Sequence, residues 1–283
     1  MKLVMTLLAR DEQDILRENL EFHLAAGVDE VILMDNRSVD GTAAIAREYE
    51  REGLLHYTFQ PRDDYSQGRW VTQMARRAIA ELQADWVINS DADEFWWPHA
   101  GSIKDCLASV PAGAVAASAE RTNFVARPDD GSPFWKRMNV RRTRSVNALG
   151  APLPGKVAHR ALANVVVEQG NHRIYAGGQP APCVIAPMTI LHFPVRSRAQ
   201  FFNKVVNGGS AYGRNTELDP AVGETWRHLY GLYREGELDQ AYAEESLTEE
   251  QIVSGLASGE LVRDERLIEA LRHSDTRIRS KIS

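Results

Sequence analysis

The stretch that decides the fold is VINSDADEFWWP, residues 87–98. It continues a short apolar run that starts at Trp86, and such a run is typical of a buried strand. The run ends in three acids within four positions, Asp91, Asp93 and Glu94, and the aromatic block FWWP follows directly. Carboxylates that come directly after a buried strand, with large aromatic residues beside them, favour a binding site over an ordinary surface loop.

Upstream of this stretch, short apolar runs alternate with segments of helical spacing. Strands are predicted over residues 2–8, 28–36, 54–60 and 85–91, and helices over 12–26, 39–53 and 66–83. This alternation predicts an α/β fold with a parallel sheet and helices on its faces. Ligands of such sheets bind beyond the carboxyl ends of the strands. Asp35 and Asp40 follow the second strand and the three acids follow the fourth, so both clusters are expected at that edge.

Downstream the pattern loosens. A short helix is predicted over 102–110, strands over 113–126, 162–170 and 182–194, and a loop with short strands over 127–160. The next helix, over 196–213, is expected to be interrupted by Gly208 and Gly209. The remaining chain is predicted to be helical, with Ser246 and Glu249 forming a capping box at one helix start.

The composition limits the class of protein. The 283 residues are 43% hydrophobic and 25% charged, and the net charge of -6 argues against a nucleic-acid partner. Two cysteines without a C-x-x-C pattern argue against a disulfide scaffold or a structural zinc site. The first residues lack a signal-peptide cleavage region, and no apolar run approaches the roughly 20 residues of a membrane helix. We therefore expect a cytoplasmic protein without a transmembrane segment.

The acids after the fourth strand suit a divalent cation. In a turn, Asp91 and Asp93 can both aim at one ion, and Mg²⁺ prefers such oxygen ligands and completes its shell with water and phosphates. Mn²⁺ also accepts an imidazole. The alternative for these acids is a solvated loop. For Trp96 and Trp97, the alternatives are a place in the core and a surface on which a sugar or base stacks.

A second motif is MDNRSVDGT at residues 34–42. Helix capping and turn formation explain Ser38, Asp40 and Gly41 well, but they explain Asp35 and Asn36 less well. The segments TLLARDEQDILRENLEFHLAAGVDEVILMDNRSVDGT, residues 6–42, and WVINSDADEF, residues 86–95, together resemble glycosyltransferase family 2 on the GT-A fold. The most similar branch has DADEF and a later HF or HY followed by a basic-serine stretch. The resemblance covers about residues 1–100 and, more weakly, 156–204.

The resemblance implies a site for a nucleotide-sugar and a metal. The residues implied for the nucleotide are Ala9, Arg10, Asp35, Asn36 and Asp91. Asp35 would accept a hydrogen bond from a base N–H, which suits uracil or guanine. The implied metal ligands are Asp93, Asp91 in the metal shell or at the ribose, and His192 of the HFP motif. The ion, Mn²⁺ or Mg²⁺, would offset charge as the nucleoside diphosphate leaves.

Phosphate contacts and a catalytic base complete the implied site. Lys156 and Arg198 are candidate phosphate contacts, and Lys204 is either a further one or a solvated helix charge. The base has no clear motif. Glu94, beside the metal motif, and Glu120, on a strand that borders the acceptor side in this fold, are the two candidates.

The protein expected from the resemblance is a metal-dependent glycosyltransferase. It would move a sugar from a UDP- or GDP-sugar to a glycan or small-molecule acceptor, such as a polysaccharide precursor. The alternatives are a nucleotidyltransferase and a non-catalytic nucleotide- or carbohydrate-binding module.

We expect a GT-A-type, Rossmann-like, mostly parallel sheet flanked by helices in a catalytic domain over 1–205, and a helical C-terminal extension over 206–283. The Arg-rich stretch 136–144 is either a contact for an anionic acceptor or for the inner face of a membrane, or a solvated basic face.

Overall fold

The computed structural model describes residues 1–219 and 221–277. Within these ranges, thirteen strands, β1 to β13 in chain order, span Leu3–Ala9, Glu30–Asp35, Leu55–Phe59, Trp86–Asp91, Glu94–Pro98, Ala116–Asn123, Val140–Arg142, Lys156–Arg160, Val166–Val167, Ile174–Ala176, Gln179–Pro180, Cys183–His192 and Leu261–Arg263. Ten helices of the same part of the chain, α1 to α10, span Leu16–Ala25, Thr42–Arg51, Gln67–Ala80, Ile103–Ala108, Phe134–Arg137, Arg198–Arg214, Glu224–Glu235, Leu238–Glu245, Glu249–Ser258 and Arg266–Arg277.

Eight of the strands form one sheet, in the order β3-β2-β1-β4-β8-β6-β12-β5. β1 pairs in parallel with β2 and β4, β2 with β3, and β6 with β12. β8 runs antiparallel to both β4 and β6, so β4 and β6 point the same way. β5 returns antiparallel to β12. The carboxyl ends of six strands therefore meet at one edge, and the predicted α/β class with a mostly parallel sheet is confirmed.

Helices cover both faces of this sheet because successive strand residues alternate sides. On one face, Val4 and Ile32 belong to a buried cluster with Met74 of α3. On the opposite face, Leu7 belongs to a larger cluster with Leu20 of α1. Strands that are buried on both faces explain the continuous apolar runs of the sequence.

Helix α6 is continuous, so the expected interruption at Gly208 and Gly209 is wrong. Both glycines face α7, where a Cβ on Gly208 would press on the ring of Trp226 and a Cβ on Gly209 would clash with Tyr230. The missing side chains let the two helices approach closely, which offsets a helix-propensity cost of about 1 kcal/mol per glycine. The helix also runs through the expected domain boundary at 205/206.

The C-terminal part is helical apart from β13, which pairs antiparallel with β7. The capping box lies two residues later than predicted: Thr248 Oγ1 accepts from the backbone N–H of Gln251, and the Gln251 side chain accepts from the backbone N–H of Thr248. Ser246 instead follows the end of α8. The Ser246 prediction is therefore wrong, because the same spacing pattern starts at both residues. Residues 220 and 278–283 of the predicted extension lie outside the described ranges.

Candidate functional site

The carboxyl edge of the sheet brings the predicted acids together with His192. Parallel pairing places Leu8 beside Asp91 and places His192 beside Asn123. β5 then returns along β12, which puts Glu94 opposite His192. Residues that are 98 positions apart in sequence thus become cross-strand neighbours.

The turn between β4 and β5 is held in place by α1. The side chain of Asn19 donates to the carbonyls of Ala92 and Glu94 at 2.9 and 2.8 Å. One helical turn later, His23 Nε2 accepts a hydrogen bond from the backbone of β5 at 3.2 Å. All the groups of this support are buried, and Asp93 is only 3% exposed. The turn therefore presents the Asp93 carboxylate in a fixed orientation.

Three side chains converge beyond this turn in a set that suits a cation. One ligand atom each of Asp93, Glu94 and His192 lie within 4.8 Å of one another. His192 Nδ1 donates to Asn123 Oδ1 at 2.6 Å, which leaves the Nε2 lone pair facing Asp93 Oδ2 at 3.6 Å. Burial, opposed by Asp93, lowers the pKa of His192 to about 4, so the ring is neutral at neutral pH. Carboxylates and a neutral imidazole are a ligand set that fits Mn²⁺.

Asp91 faces a different partner. Its carboxylate contacts the ammonium of Lys156 and accepts hydrogen bonds from two side-chain amides. Of the three metal ligands implied by the sequence, the structure brings Asp93 and His192 together. Glu94 is the third member of that cluster, and Asp91 lies beside it.

Lys156 is a buried link between two of the acids, because its Nζ contacts Asp91 and lies 3.2 Å from Glu94 Oε1. Arg121 Nη1 approaches the same Glu94 oxygen at 3.4 Å. Burial raises the pKa of Glu94 to about 7, against the opposite effect of Lys156. A carboxyl group that titrates near neutral pH can take up or release a proton during a reaction.

A network of ion pairs, with Glu12 and Arg196 as its buried members, continues from Asp93 to the residues before α1. Lys204 Nζ lies 2.5 Å from Asp93 Oδ2 and 3.3 Å from Glu12 Oε1. Arg196 is fully buried and contacts Glu12 at 2.5 Å and Asp14 at 2.7 Å. Burial alone would raise the pKa of Asp93, but Lys204, His192 and Arg196 together outweigh burial and hold the pKa well below its usual range.

Sequence reasoning missed Glu12 and Arg196 as parts of this site. For Lys204, the interpretation as a solvated helix charge is wrong, because its ammonium contacts a buried carboxylate. A signal was present in the sequence. Glu12 lies three residues beyond β1, and Arg196 lies four residues after His192 in the basic stretch that follows HFP. Charged residues just past the end of a buried strand are therefore candidate site residues in the same way as the acids of the motif.

Toward the other end of the edge, Asp35 and Asn36 lie beside Ala9. Asp35 is 1% exposed and accepts hydrogen bonds from the backbone N–H of Ser38 at 2.9 Å and the hydroxyl of Tyr57 at 2.7 Å. Asn36 donates to two backbone carbonyls, and its Oδ1 is buried with no hydrogen-bond partner in the described part of the chain. A buried oxygen without a donor marks a place for a water or ligand group.

The two predicted arginines lie in different surroundings. Arg10 lies at the sheet edge, where it pairs with Asp63 at 2.5 Å and donates to Asn207 of α6 at 3.3 Å. Arg198 is exposed at the start of α6 and pairs with Asp239 at 2.5 Å. The structure therefore places Arg10 at the same edge as Asp35 and Asn36 and does not place Arg198 in the acid cluster.

The two indoles of the opening motif also differ. Trp96 is fully buried, and its Nε1 donates to Ser90 Oγ at 3.2 Å, so it is a core residue. Trp97 is partly buried, stacks on Phe22, and has the guanidinium of Arg266 5.3 Å from its ring. A stacking surface for a sugar is thus excluded for Trp96.

A polar cavity of about 830 Å³ opens at the ends of β6 and β12. Its lining includes Glu120 and Arg121 of β6, Thr189 of β12 and Arg263 of β13. Arg121 also reaches Glu94, so the cavity borders the acid cluster. Volumes of this size are typical of small-molecule sites.

The family comparison agrees with a site at this edge. Residues 7–167, more than half of the chain, match the model of the family described as glycosyl transferase family 2. The chain belongs to this family and is a glycosyltransferase. The resemblance to glycosyltransferase family 2 is confirmed, and the helix-flanked, mostly parallel sheet expected from it is present. The alternative of a nucleotidyltransferase does not agree with this membership.

Three solved structures are similar in fold. Residues 1–349 of S. aureus TarS are 13% identical, with a TM-score of 0.44 over 78% of this chain and 68% of that one. PcManGT, a mannosyltransferase from Pyrobaculum calidifontis bound to GDP-Man and Mn²⁺, is 14% identical, with a TM-score of 0.41 over 91% and 79%. Glucosyl-3-phosphoglycerate synthase from Mycobacterium tuberculosis, bound to Mn²⁺, UDP and phosphoglyceric acid, is 15% identical, with a TM-score of 0.39 over 78% and 81%. No curated protein matches the chain.

Among the helices of the described residues, none is both long enough and apolar enough to span a membrane.

Proposed function

We propose that the protein is a metal-dependent glycosyltransferase whose donor is a nucleoside-diphosphate sugar with UDP or GDP as the leaving group. The observation that carries this proposal is the convergence of Asp93, Glu94 and His192 at the sheet edge that also presents Asp35. Nucleotide ligands of parallel α/β sheets bind beyond this edge.

In this proposal Asp93 and His192 hold a divalent ion, Mn²⁺ or Mg²⁺, with Glu94 as the third protein ligand. The bound ion would supply positive charge to the leaving diphosphate. Asn123 supports the site by fixing the tautomer of His192. Asp91 lies next to the metal cluster and is proposed to contact the ribose.

The nucleoside is proposed to lie against Ala9, Arg10, Asp35 and Asn36. Asp35 is acceptor-only when ionised, so it favours a base with an N–H donor, as in uracil or guanine. Lys156 and Lys204 are proposed to face the diphosphate, because both ammonium groups already lie among the acids of the site. Arg198 is left out of this role, since it pairs with Asp239 on the surface.

The acceptor, a glycan or small molecule, is proposed to enter the polar cavity beside Arg121. Glu120 is exposed into this cavity, which favours it as the base over the fully buried Glu94. A base must reach the acceptor hydroxyl directly or through one water. Glu120→Gln should therefore strongly lower kcat, whereas donor binding should stay unchanged.

The C-terminal residues are proposed to complete the acceptor side of the catalytic unit. β13 pairs with β7 and contributes Arg263 to the cavity, which supports an extension over 206–283 that is built onto the catalytic domain over 1–205. A cytoplasmic location, with peripheral contact at the inner face of a membrane through the stretch 136–144, stays a prediction. Cell fractionation before and after a high-salt wash would test it.

The experiment is calorimetry with UDP, GDP, CDP and ADP, with and without Mn²⁺. It compares the native protein with Asp93→Ala and with Asp239→Ala, a matched removal of an exposed carboxylate. We expect UDP or GDP to bind with help from Mn²⁺, and this help to be lost only in Asp93→Ala. Binding of none of the four nucleotides would contradict the proposed donor. Binding without any effect of Mn²⁺ would contradict only the metal.

A further inference from the structure

Lys204 occupies the position at Asp93 that a metal ion needs. Its ammonium lies 2.5 Å from Asp93 Oδ2, and the same oxygen atom faces His192 Nε2 at 3.6 Å. The Asp93 side chain is only 5% exposed, so its charge is poorly screened by water and needs a cation beside it. The oxygen that points toward the imidazole ligand is therefore the oxygen that Lys204 already neutralises.

A divalent ion and an ammonium group cannot share this oxygen at contact distance, because the two cations repel each other strongly where water is excluded. We propose that Lys204 is an exchangeable counter-cation. It neutralises Asp93 while the metal site is empty and leaves this carboxylate when the ion binds. The inference rests on the proposed metal-dependent function and adds a competitor for the metal that comes from the chain itself.

Glu12 is a second carboxylate partner for the Lys204 ammonium group. Its Oε1 lies 3.3 Å from the Lys204 ammonium, while its Oε2 contacts Arg196. Arg196 is fully buried and also holds Asp14, so Glu12 is fixed in position. When Lys204 leaves Asp93, it keeps one carboxylate partner and needs only a short side-chain movement.

The exchange links metal binding to nucleotide binding. Without a nucleotide, the ion must displace an ammonium group from a buried carboxylate, which weakens metal binding. A bound diphosphate offers the released ammonium new anionic partners, so the displacement becomes less costly. Each ligand should then strengthen the binding of the other by the same factor, because coupling between two sites is reciprocal.

The test measures Mn²⁺ affinity from the electron paramagnetic resonance signal of free Mn²⁺. It uses the native protein, Lys204→Met, Lys204→Arg and the matched control Lys104→Met, whose ammonium pairs with Asp29 elsewhere on the chain. We expect Lys204→Met to bind Mn²⁺ about tenfold more tightly without nucleotide, since the loss of one charged hydrogen bond to Asp93 favours the ion. Lys204→Arg and Lys104→Met should stay close to the native affinity.

The second arm repeats each titration with saturating UDP or GDP. In the native protein the nucleotide should tighten Mn²⁺ binding, and in Lys204→Met this gain should shrink about tenfold. Thermal unfolding confirms that each variant is folded, and Lys204→Gln replaces Lys204→Met if the latter is not.

Three outcomes would overturn the exchange. Unchanged or weaker Mn²⁺ binding by folded Lys204→Met, alongside clear binding by the native protein, removes the competition but keeps the metal site. An unchanged nucleotide effect in this variant removes the coupling. Absence of Mn²⁺ binding in every protein overturns both the exchange and the proposed metal, while the nucleotide calorimetry still decides on the donor.

Discussion

Asp35 and Asp93 are both buried acids at the carboxyl edge of the sheet, yet their partners are of different kinds. Asp35 accepts hydrogen bonds from two neutral donors, the backbone N–H of Ser38 and the hydroxyl of Tyr57. Asp93 contacts the ammonium of Lys204 and faces the imidazole of His192. Neutral donors orient a carboxylate and leave its charge uncancelled, whereas a cation cancels the charge.

This difference indicates different roles for the two halves of the edge, one around Asp35 and one around Asp93. Burial, followed by the hydrogen bond to Asp35, raises the pKa of Tyr57 to about 12, so Tyr57 remains a proton donor at any working pH. The Asp35 half is therefore fixed and suits recognition of a donor group on a ligand. The Asp93 half consists of ion pairs, in which one cation can replace another.

The largest expected effect comes from Asp93→Asn. This change keeps the shape of the side chain and removes the charge that a metal requires. We expect kcat to fall at least about a thousandfold, which corresponds to ~4 kcal/mol of lost transition-state stabilisation. Steady-state kinetics over a range of Mn²⁺ concentrations would measure it, with Asp239→Asn as the control on the surface. Activity that stays within tenfold of native would remove Asp93 from the metal site.

The next effect, on stability, comes from the ion network behind Asp93. Arg196→Met leaves Glu12 with Lys204 alone and Asp14 without the guanidinium, so we expect a loss of about 3 kcal/mol in the free energy of unfolding. Arg198→Met, two residues away, breaks an exposed pair with Asp239 and should cost clearly less stability than Arg196→Met. Urea unfolding of both variants would compare them. Equal losses would show that the buried network is no more important to stability than a surface ion pair.

The sequence predicted the positions of Asp35 and Asp93 because strand ends are local features. Each acid follows an apolar run within its own segment, and the parallel sheet then sets both at one edge. Lys156, Arg196 and Lys204 could not be placed in this way. They lie 62 to 192 residues from the acids that they contact, so only the folded chain brings them together.

Features that depend on packing against a neighbouring helix or strand also could not be predicted from the sequence. Gly208 and Gly209 led to the prediction of a helix break, because the sequence of α6 alone does not show that both glycines pack closely against α7. Trp96 had two open alternatives, and only the packing of β5 against α1 and β12 decided for the core. The place of Glu94 in the metal cluster likewise followed from the pairing of β5 with His192, which no local pattern encodes.

A smaller effect is expected from pH, and it should act on the Asp93 half. Burial, opposed by the hydrogen bond to Asn19, lowers the pKa of His23 to about 4 from 6.5. The folded protein therefore binds fewer protons than the unfolded chain between these values. The stabilisation is present above pH 6.5 and is lost as the pH falls toward 4, by about 2 kcal/mol at pH 5.

Urea unfolding at pH 7, 6 and 5 would measure this loss, with the native protein compared with His23→Gln and with His228→Gln as an exposed control. His23→Gln should reduce the dependence of stability on pH without abolishing it, because one buried histidine that titrates in this range is removed while His192, whose pKa is also lowered to about 4, remains. The same slope in both variants would show that His23 does not control it.

The smallest effect is expected from Asp35→Asn. This variant tests most directly whether the Asp35 half and the Asp93 half of the edge act separately. The amide retains one oxygen and loses the negative charge, so a hydrogen bond from the base of the donor is weakened. We expect the donor KM to rise about tenfold, with kcat within about threefold of native and the Mn²⁺ affinity unchanged. The matched control is Asp40→Asn, which lies in the same motif and accepts hydrogen bonds only from the backbone. A loss of Mn²⁺ affinity in Asp35→Asn would mean that the two halves of the edge act as one site.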